Sequence, residues 1–246
     1  MNRTTAESTL VVGAGSGIGR EITQKLLREG ESVIAADIAT EYWDSQAKQL
    51  AGLISCDVLS SKSTGELTGT LGRLGIRLKG LVFTVGRAVT RPIQSMKPEA
   101  YAELFDLNTM SFFNLLAEIM AAGLFSRDGA SVVVISSLVS ELGARGKTAY
   151  SASKGALNAA VRSLSQELAL EGLRVNAISP GTIQTGMLNN LIVTIGNEEV
   201  NKLAAEFPLG FGYPTDIADL AYYLLDPASR WITGTVISID GGYSAR

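Results

Sequence analysis

Short apolar runs rich in β-branched residues alternate with longer amphipathic stretches from one end of the chain to the other. The runs lie at 9–12, 32–36, 52–55, 79–84, 131–136, 174–179 and 235–239. Most are continuously apolar instead of alternating with polar residues, the pattern of strands covered on both faces. Between them, apolar positions recur at helical spacing over 17–29, 62–73, 97–106, 109–125, 150–170, about 187–206, and 215–225. This order predicts an α/β fold: a Rossmann-type, doubly wound parallel sheet of about seven strands, with right-handed crossovers and helices on both faces. No repeat, low-complexity stretch or linker divides the chain, so a single domain over 1–246 is expected. In such a sheet, ligands sit beyond the C-terminal strand ends, near the switch in strand order. The residues that follow each strand are therefore the ones that carry function.

After the first run comes Val12-Gly13-Ala14-Gly15-Ser16-Gly17-Ile18-Gly19, leading into a helix. Glycines there permit a tight turn and close backbone approach to a pyrophosphate, and the helix start offers free N–H groups and partial positive charge. The second run ends at Asp37. An acid in that place accepts hydrogen bonds from the adenine-ribose hydroxyls and repels a 2′-phosphate, which favours NAD(H) over NADP(H). No Arg or Lys lies inside the glycine loop or in the four residues after Asp37; Arg20 is the nearest cation. The same glycines, with an acid after the next strand, also open S-adenosylmethionine-dependent methyltransferases. Those enzymes usually carry an acid two residues before the first glycine, where this chain has Val11.

Composition removes several chemistries. The sequence has 246 residues, 46% of them hydrophobic and 18% charged, enough for a substantial core. It contains no histidine, which excludes a Ser-His-Asp triad and His-ligated metal within one subunit. A single cysteine, Cys56, excludes an internal disulfide or multi-Cys zinc site, and no metal is expected. The net charge of −3, with scattered basic residues, gives no footprint for nucleic acid or an anionic membrane. No apolar stretch reaches the ~18 residues needed to span a bilayer. The polar start at residues 1–5 shows no signal peptide, so a cytoplasmic location is expected.

Without histidine, a proton-transfer group must come from elsewhere. Tyr150 opens a predicted helix in Tyr150-Ser151-Ala152-Ser153-Lys154, and residues four apart share a helix face. A phenol with an ordinary pKa near 10 is a poor base, but a neighbouring ammonium stabilises its phenolate. The helix follows the fifth strand, whose end at Ile135-Ser136-Ser137 lies on the ligand-binding edge. Tyr-x-x-x-Lys by itself is a cheap match, and its position gives it weight.

Taken together, these motifs resemble the short-chain dehydrogenase/reductase family over essentially the whole chain. The resemblance rests on Gly13-x-x-x-Gly17-Ile18-Gly19, Asp57-Val58, Asn108, Ser136-Ser137, Tyr150-x-x-x-Lys154, the run from Arg174 through Pro180-Gly181 to Thr185, and the closing Ile239-Asp240-Gly241-Gly242. It implies that Tyr150 is the general acid/base, that Lys154 lowers its pKa and holds the nicotinamide ribose, and that Ser137 bonds the substrate oxygen. Asn108 would anchor a water for proton relay. Asp57 and Val58 would contact adenine, and Pro180, Gly181, Ile183 and Thr185 would grip the carboxamide. Two departures stand out: Val12 replaces the family's Thr, and Phe83-Thr84-Val85-Gly86 replaces Asn-Asn-Ala-Gly, leaving Gly86 as the shared cofactor-side residue. The resemblance points to the 3-oxoacyl-carrier-protein reductase-like branch and to a homotetramer, or a homodimer.

The sequence therefore predicts an NAD(H)-dependent oxidoreductase that interconverts a secondary alcohol and a ketone. A methyltransferase and a non-catalytic NAD(H)-sensing regulator are the alternatives. Substrate identity is open. Segment 186–207 is the expected lid, offering Met187, Leu188, Leu191, Ile192 and Phe207 with Asn189 and Asn190 as polar partners, though the same residues would serve plain helix packing. Arg87 and Arg91 could meet an anionic substrate or simply face solvent.

Overall fold

The computed structural model describes residues 7–43 and 46–245 and, of residues 189, 190, 194 and 195, the backbone alone. Residues 1–5, read above for a targeting signal, lie outside them.

Seven strands form one sheet: β1 (Glu7–Val12), β2 (Val33–Asp37), β3 (Gly52–Ser55), β4 (Arg77–Phe83), β5 (Ala130–Ile135), β6 (Leu173–Pro180) and β7 (Val236–Ile239). Their order is β3-β2-β1-β4-β5-β6-β7, and every pair is parallel. All C-terminal strand ends therefore share one edge. The order reverses between β1 and β4, so the loops after these two strands diverge and leave a crevice there.

The continuous apolar runs are explained by burial on both faces. Leu10 and Val12 of β1 point into one cluster while Val11 between them points into the other. In β5 the same alternation sends Val132 and Val134 one way, Val133 and Ile135 the other. One face is covered by α2 (Ser61–Arg73), α4 (Ser111–Ala121) and α6 (Thr148–Leu168), which bring Leu67, Leu71, Phe112, Leu115, Leu157 and Val161. The other is covered by α1 (Gly17–Arg28) and α9 (Pro214–Leu225), through Ile22, Leu26, Ile217 and Leu224.

Three helical stretches differ from the pattern read in the sequence. The helices expected over 97–106 and 109–125 are α3 (Pro98–Phe105) and α4, and a π-helical turn at Asp106–Met110 joins them. The expected lid helix is two, α7 (Gly186–Ile195) and α8 (Asn197–Ala204), broken at Gly196, whose φ of +85° only glycine adopts easily. A short helix α5 (Val139–Leu142), too brief to show a period, follows β5. Among the described residues, no helix is long and apolar enough to cross a membrane, and no group of His, Cys, Asp or Glu could hold a metal ion.

Candidate active site

The glycine loop joins β1 to α1 at the crevice. Gly19 lies against the start of its own turn: a Cβ there would sit 2.1 Å from the Gly13 carbonyl oxygen and 2.5 Å from Thr84 Oγ1. Helix and strand can pack this closely only without a side chain at that position. Ser16 precedes α1, makes no side-chain capping bond, and the first turn contains no acid. The N–H groups of that turn thus lack side-chain acceptors and stand ready for an anion. The residues present fit the pyrophosphate of a dinucleotide.

Asp37 ends β2 beside this loop. Its carboxylate accepts hydrogen bonds from Gly15 N at 2.7 Å and Ala39 N at 2.9 Å. Arg20 lies with its guanidinium 5.8 Å from the Trp43 ring centre, and the Trp43 indole N–H donates to the Ala14 carbonyl under the loop. Asp57 and Val58 follow β3, next to Asp37 across the Asp37–Ser55 pair. The Asp57 carboxylate accepts from Leu59 N at 3.0 Å, and Val58 is buried.

On the other side of the crevice, Thr84 supplies a support the sequence had not suggested. Its hydroxyl donates to the carbonyls of Val12 and Gly13, each at 3.0 Å, tying the loop after β4 to the glycine loop. This tie stands where the sequence departs from the Asn-Asn-Ala-Gly of the family it resembles. Gly86 is fixed by what converges on it. A Cβ there would meet Lys154 Nζ at 2.9 Å and Asn108 Oδ1 at 3.3 Å. Any side chain at position 86 would push these two groups apart.

Asn108 is brought in by the π-turn at Asp106–Met110, which docks on α6 through the Thr109 hydroxyl to the Ser153 carbonyl at 2.8 Å. The buried Asn108 amide accepts from Arg87 N at 2.8 Å and donates to the Arg87 carbonyl and Ser153 Oγ at 3.1 and 3.0 Å. It is thus a brace for the loop after Gly86, a role that no sequence period signals.

Tyr150 is buried in the first turn of α6 and hydrogen bonded to the Ser137 side chain. Burial pushes its pKa above the usual phenol value, opposed by the Ser137 bond. Ser136, the neighbouring candidate, instead donates to the Lys154 carbonyl at 3.3 Å. Lys154 is 3% exposed, its ammonium donates to the Ile135 carbonyl at 2.8 Å, and burial lowers its pKa to about 8. The sequence reading had Lys154 pulling the Tyr150 pKa down. In this arrangement desolvation dominates both groups, and the nearest influence favouring the phenolate is Ser137.

The turn after β6 closes the site. Pro180 ends that strand, Gly181 N donates to the Ile239 carbonyl at 3.0 Å, and Ile183 pairs with Gly212. Thr185 faces Gly17, its Cγ2 3.5 Å from where a Cβ would project. Residues 180–185 therefore reach back to the glycine loop. Of the lid residues, Met187 is exposed and Leu188, Leu191 and Ile192 are half-buried, while the side chains of Asn189 and Asn190 lie outside those described. Phe207 instead packs into the body, against Gly181, Phe211 and Tyr243. It anchors the end of the lid segment.

Such an arrangement defines a dinucleotide-dependent oxidoreductase. A family model described as enoyl-(acyl carrier protein) reductase matches residues 13–244, and the chain belongs to the short-chain dehydrogenase/reductase family. It is 30% identical over 248 residues to the 7alpha-hydroxysteroid dehydrogenase of Escherichia coli (strain K12), covering 98% of this chain and 95% of that one. It is 33% identical over 241 residues to a 3-oxoacyl-(acyl-carrier-protein) reductase of Thermotoga maritima, covering 95% and 96%. An actinorhodin polyketide ketoreductase solved with NADPH matches the fold with a TM-score of 0.90 at 27% identity, over 100% of both chains. Membership separates the chain from the methyltransferases whose glycine loop it shares. Enzymes of this family act on CH–OH groups with a nicotinamide cofactor.

Proposed function

We propose that this protein interconverts a secondary alcohol and a ketone with NAD(H), using Tyr150 as the general acid/base. The observation that carries the reading is the buried Tyr150 phenol, hydrogen bonded to Ser137 in the first turn of α6, with Lys154 one turn further on. When bound, the nicotinamide gives or takes the hydride. The protein's own residues hold, orient and move a proton. Burial keeps Tyr150 a neutral phenol, the proton donor that ketone reduction requires, and Ser137 shares the substrate oxygen with it. Lys154, its ammonium held on the Ile135 carbonyl beside Gly86, holds the nicotinamide ribose. Asn108, beside Lys154, anchors the water through which protons return to solvent.

Gly13, Gly15, Ser16, Gly17, Ile18 and Gly19 cradle the pyrophosphate, Asp57 and Val58 flank the adenine, and Gly86 lets the ribose approach Lys154. Pro180, Gly181, Ile183 and Thr185 hold the carboxamide, and 186–207 covers the substrate. Asp37 supports NAD(H) over NADP(H), because its carboxylate stands beside the glycine loop without a basic partner.

A panel of secondary alcohols and ketones, followed at the NADH absorbance, tests the activity. Replacing Tyr150 by Phe should lower kcat by about 10²–10⁴-fold, while fluorescence titration shows NADH still bound. Near-wild-type turnover in Tyr150→Phe would sink the proposal, and NADH binding without any turnover in the wild type would favour a sensor.

A further inference from the structure

A second cation lies over the ring of Tyr150. Lys147 immediately precedes α6, with Nζ 5.7 Å from the centre of the Tyr150 ring. The backbone that carries it is held by hydrogen bonds on both sides. Lys147 N donates to the Ala144 carbonyl at 3.1 Å, and the Lys147 carbonyl accepts from Ser151 N at 2.7 Å, the first turn of the helix. The adjoining Gly146 carbonyl accepts from Arg91 N at 2.8 Å, which joins this turn to the loop after β4.

The ammonium is half-buried, yet among the described residues no carboxylate forms an ion pair with it. Burial lowers its pKa, the signature of a charge that has lost water without gaining a counter-ion. The surroundings are also cationic. Arg91 and Arg145 are exposed in the two loops that meet here and make no ion pair among the described residues, whereas Arg87 is neutralised by Glu103 at 3.6 Å. No acid occupies the first turn of α6, so the helix dipole adds to the same field.

We propose that Lys147 is a specificity-determining residue that binds the carboxylate of an oxo-acid or hydroxy-acid substrate, whose ketone or alcohol oxygen lies at Tyr150 and Ser137. This rests on Tyr150 being the proton-transfer residue. Because Lys147 stands against the Tyr150 ring, the carboxylate must lie only a few bonds from the reacting carbon. A charged anchor near the reacting centre also fixes which face of the carbonyl is presented, which a purely apolar pocket does less well. The cationic rim of Arg91 and Arg145 would draw such a substrate toward the mouth.

The experiment compares short 2-oxo, 3-oxo and 4-oxo acids with their methyl esters on the enzyme–NADH complex. Calorimetry gives binding and NADH oxidation gives kcat/KM, for wild type, Lys147→Gln and Lys147→Arg. At least one acid should bind the wild type about tenfold or more tighter than its ester. Lys147→Gln should abolish that ratio, and Lys147→Arg should retain part of it, which a merely structural role would not produce. Equal binding of acid and ester by the wild type, no measurable binding of any acid, or an unchanged ratio in Lys147→Gln would each overturn the proposal. An acid that binds with the expected ratio but is never reduced leaves Lys147 in place and overturns the role of Tyr150.

Discussion

The carboxylate of Asp37 accepts from two backbone N–H groups, at Gly15 and Ala39, so its orientation is settled before any dinucleotide arrives. A group held this way acts by charge and shape together. It can accept from a ribose hydroxyl, and it repels a phosphate on the same carbon. Arg20, the cation that follows the glycine loop, lies over Trp43 instead of pairing with Asp37. The wild type should therefore bind NADH at least about tenfold tighter than NADPH, a difference of ~1.4 kcal/mol. Asp37→Asn keeps the shape and one acceptor while removing the charge, and should bring the two affinities close together. Fluorescence titration with each cofactor checks this. Equal affinities in the wild type would remove Asp37 as the selector.

At the level of elements, the alternation of apolar runs and helical periods made the sheet legible because the inner strands β1, β2, β4, β5 and β6 are largely buried and the connections after β1, β3, β4, β5 and β6 carry α-helices. What was not legible depended on one or two residues acting against the local period. Asn108 reaches the site through a π-turn, which widens the helix by a residue without any change in apolar spacing. The break at Gly196 is a single backbone conformation inside an otherwise helical pattern. Tyr150, Lys154 and Ser137 could be named because their spacing is local to one helix and one strand end. Lys147 and Thr84 could not, since their contacts belong to the tertiary arrangement. Thr84 makes the point quantitatively. One hydroxyl proton serves two carbonyls of the neighbouring strand end, so Thr84→Val should cost about 1 kcal/mol and lower Tm by roughly 2–4 °C. NADH affinity should fall as well, because the same bonds hold the glycine loop. Calorimetry and titration read both. An unchanged Tm together with unchanged affinity would show that the two loops do not depend on each other.

For the whole molecule, the distribution of apolar surface is the remaining physical fact. Leu170 is 98% exposed, Trp231 90% and Leu209 86%, fractions at which each side chain is bathed in water. Trp231 lies just before β7, which is an outer strand of the sheet with one edge unpaired. Open strand edges and large exposed aromatics favour association, since pairing the edge satisfies its N–H and C=O groups and burying the ring removes apolar area from water. On the helical side, Met110, Ala117, Ala121 and Ala159 of the π-turn, α4 and α6 are exposed, a surface of small and apolar residues that lets helices approach closely. Two such surfaces on different sides of one chain generate a tetramer of dihedral symmetry, and one alone generates a dimer. Light scattering on the purified protein should accordingly report a tetramer, or a dimer if only one surface is used. Trp231→Glu should reduce the assembly by half, because a carboxylate in place of the ring would be buried without a partner. Circular dichroism should show the sheet intact in that variant. A wild type that is monomeric at micromolar concentration would mean that neither surface is an interface, and Trp231 would then need a different partner.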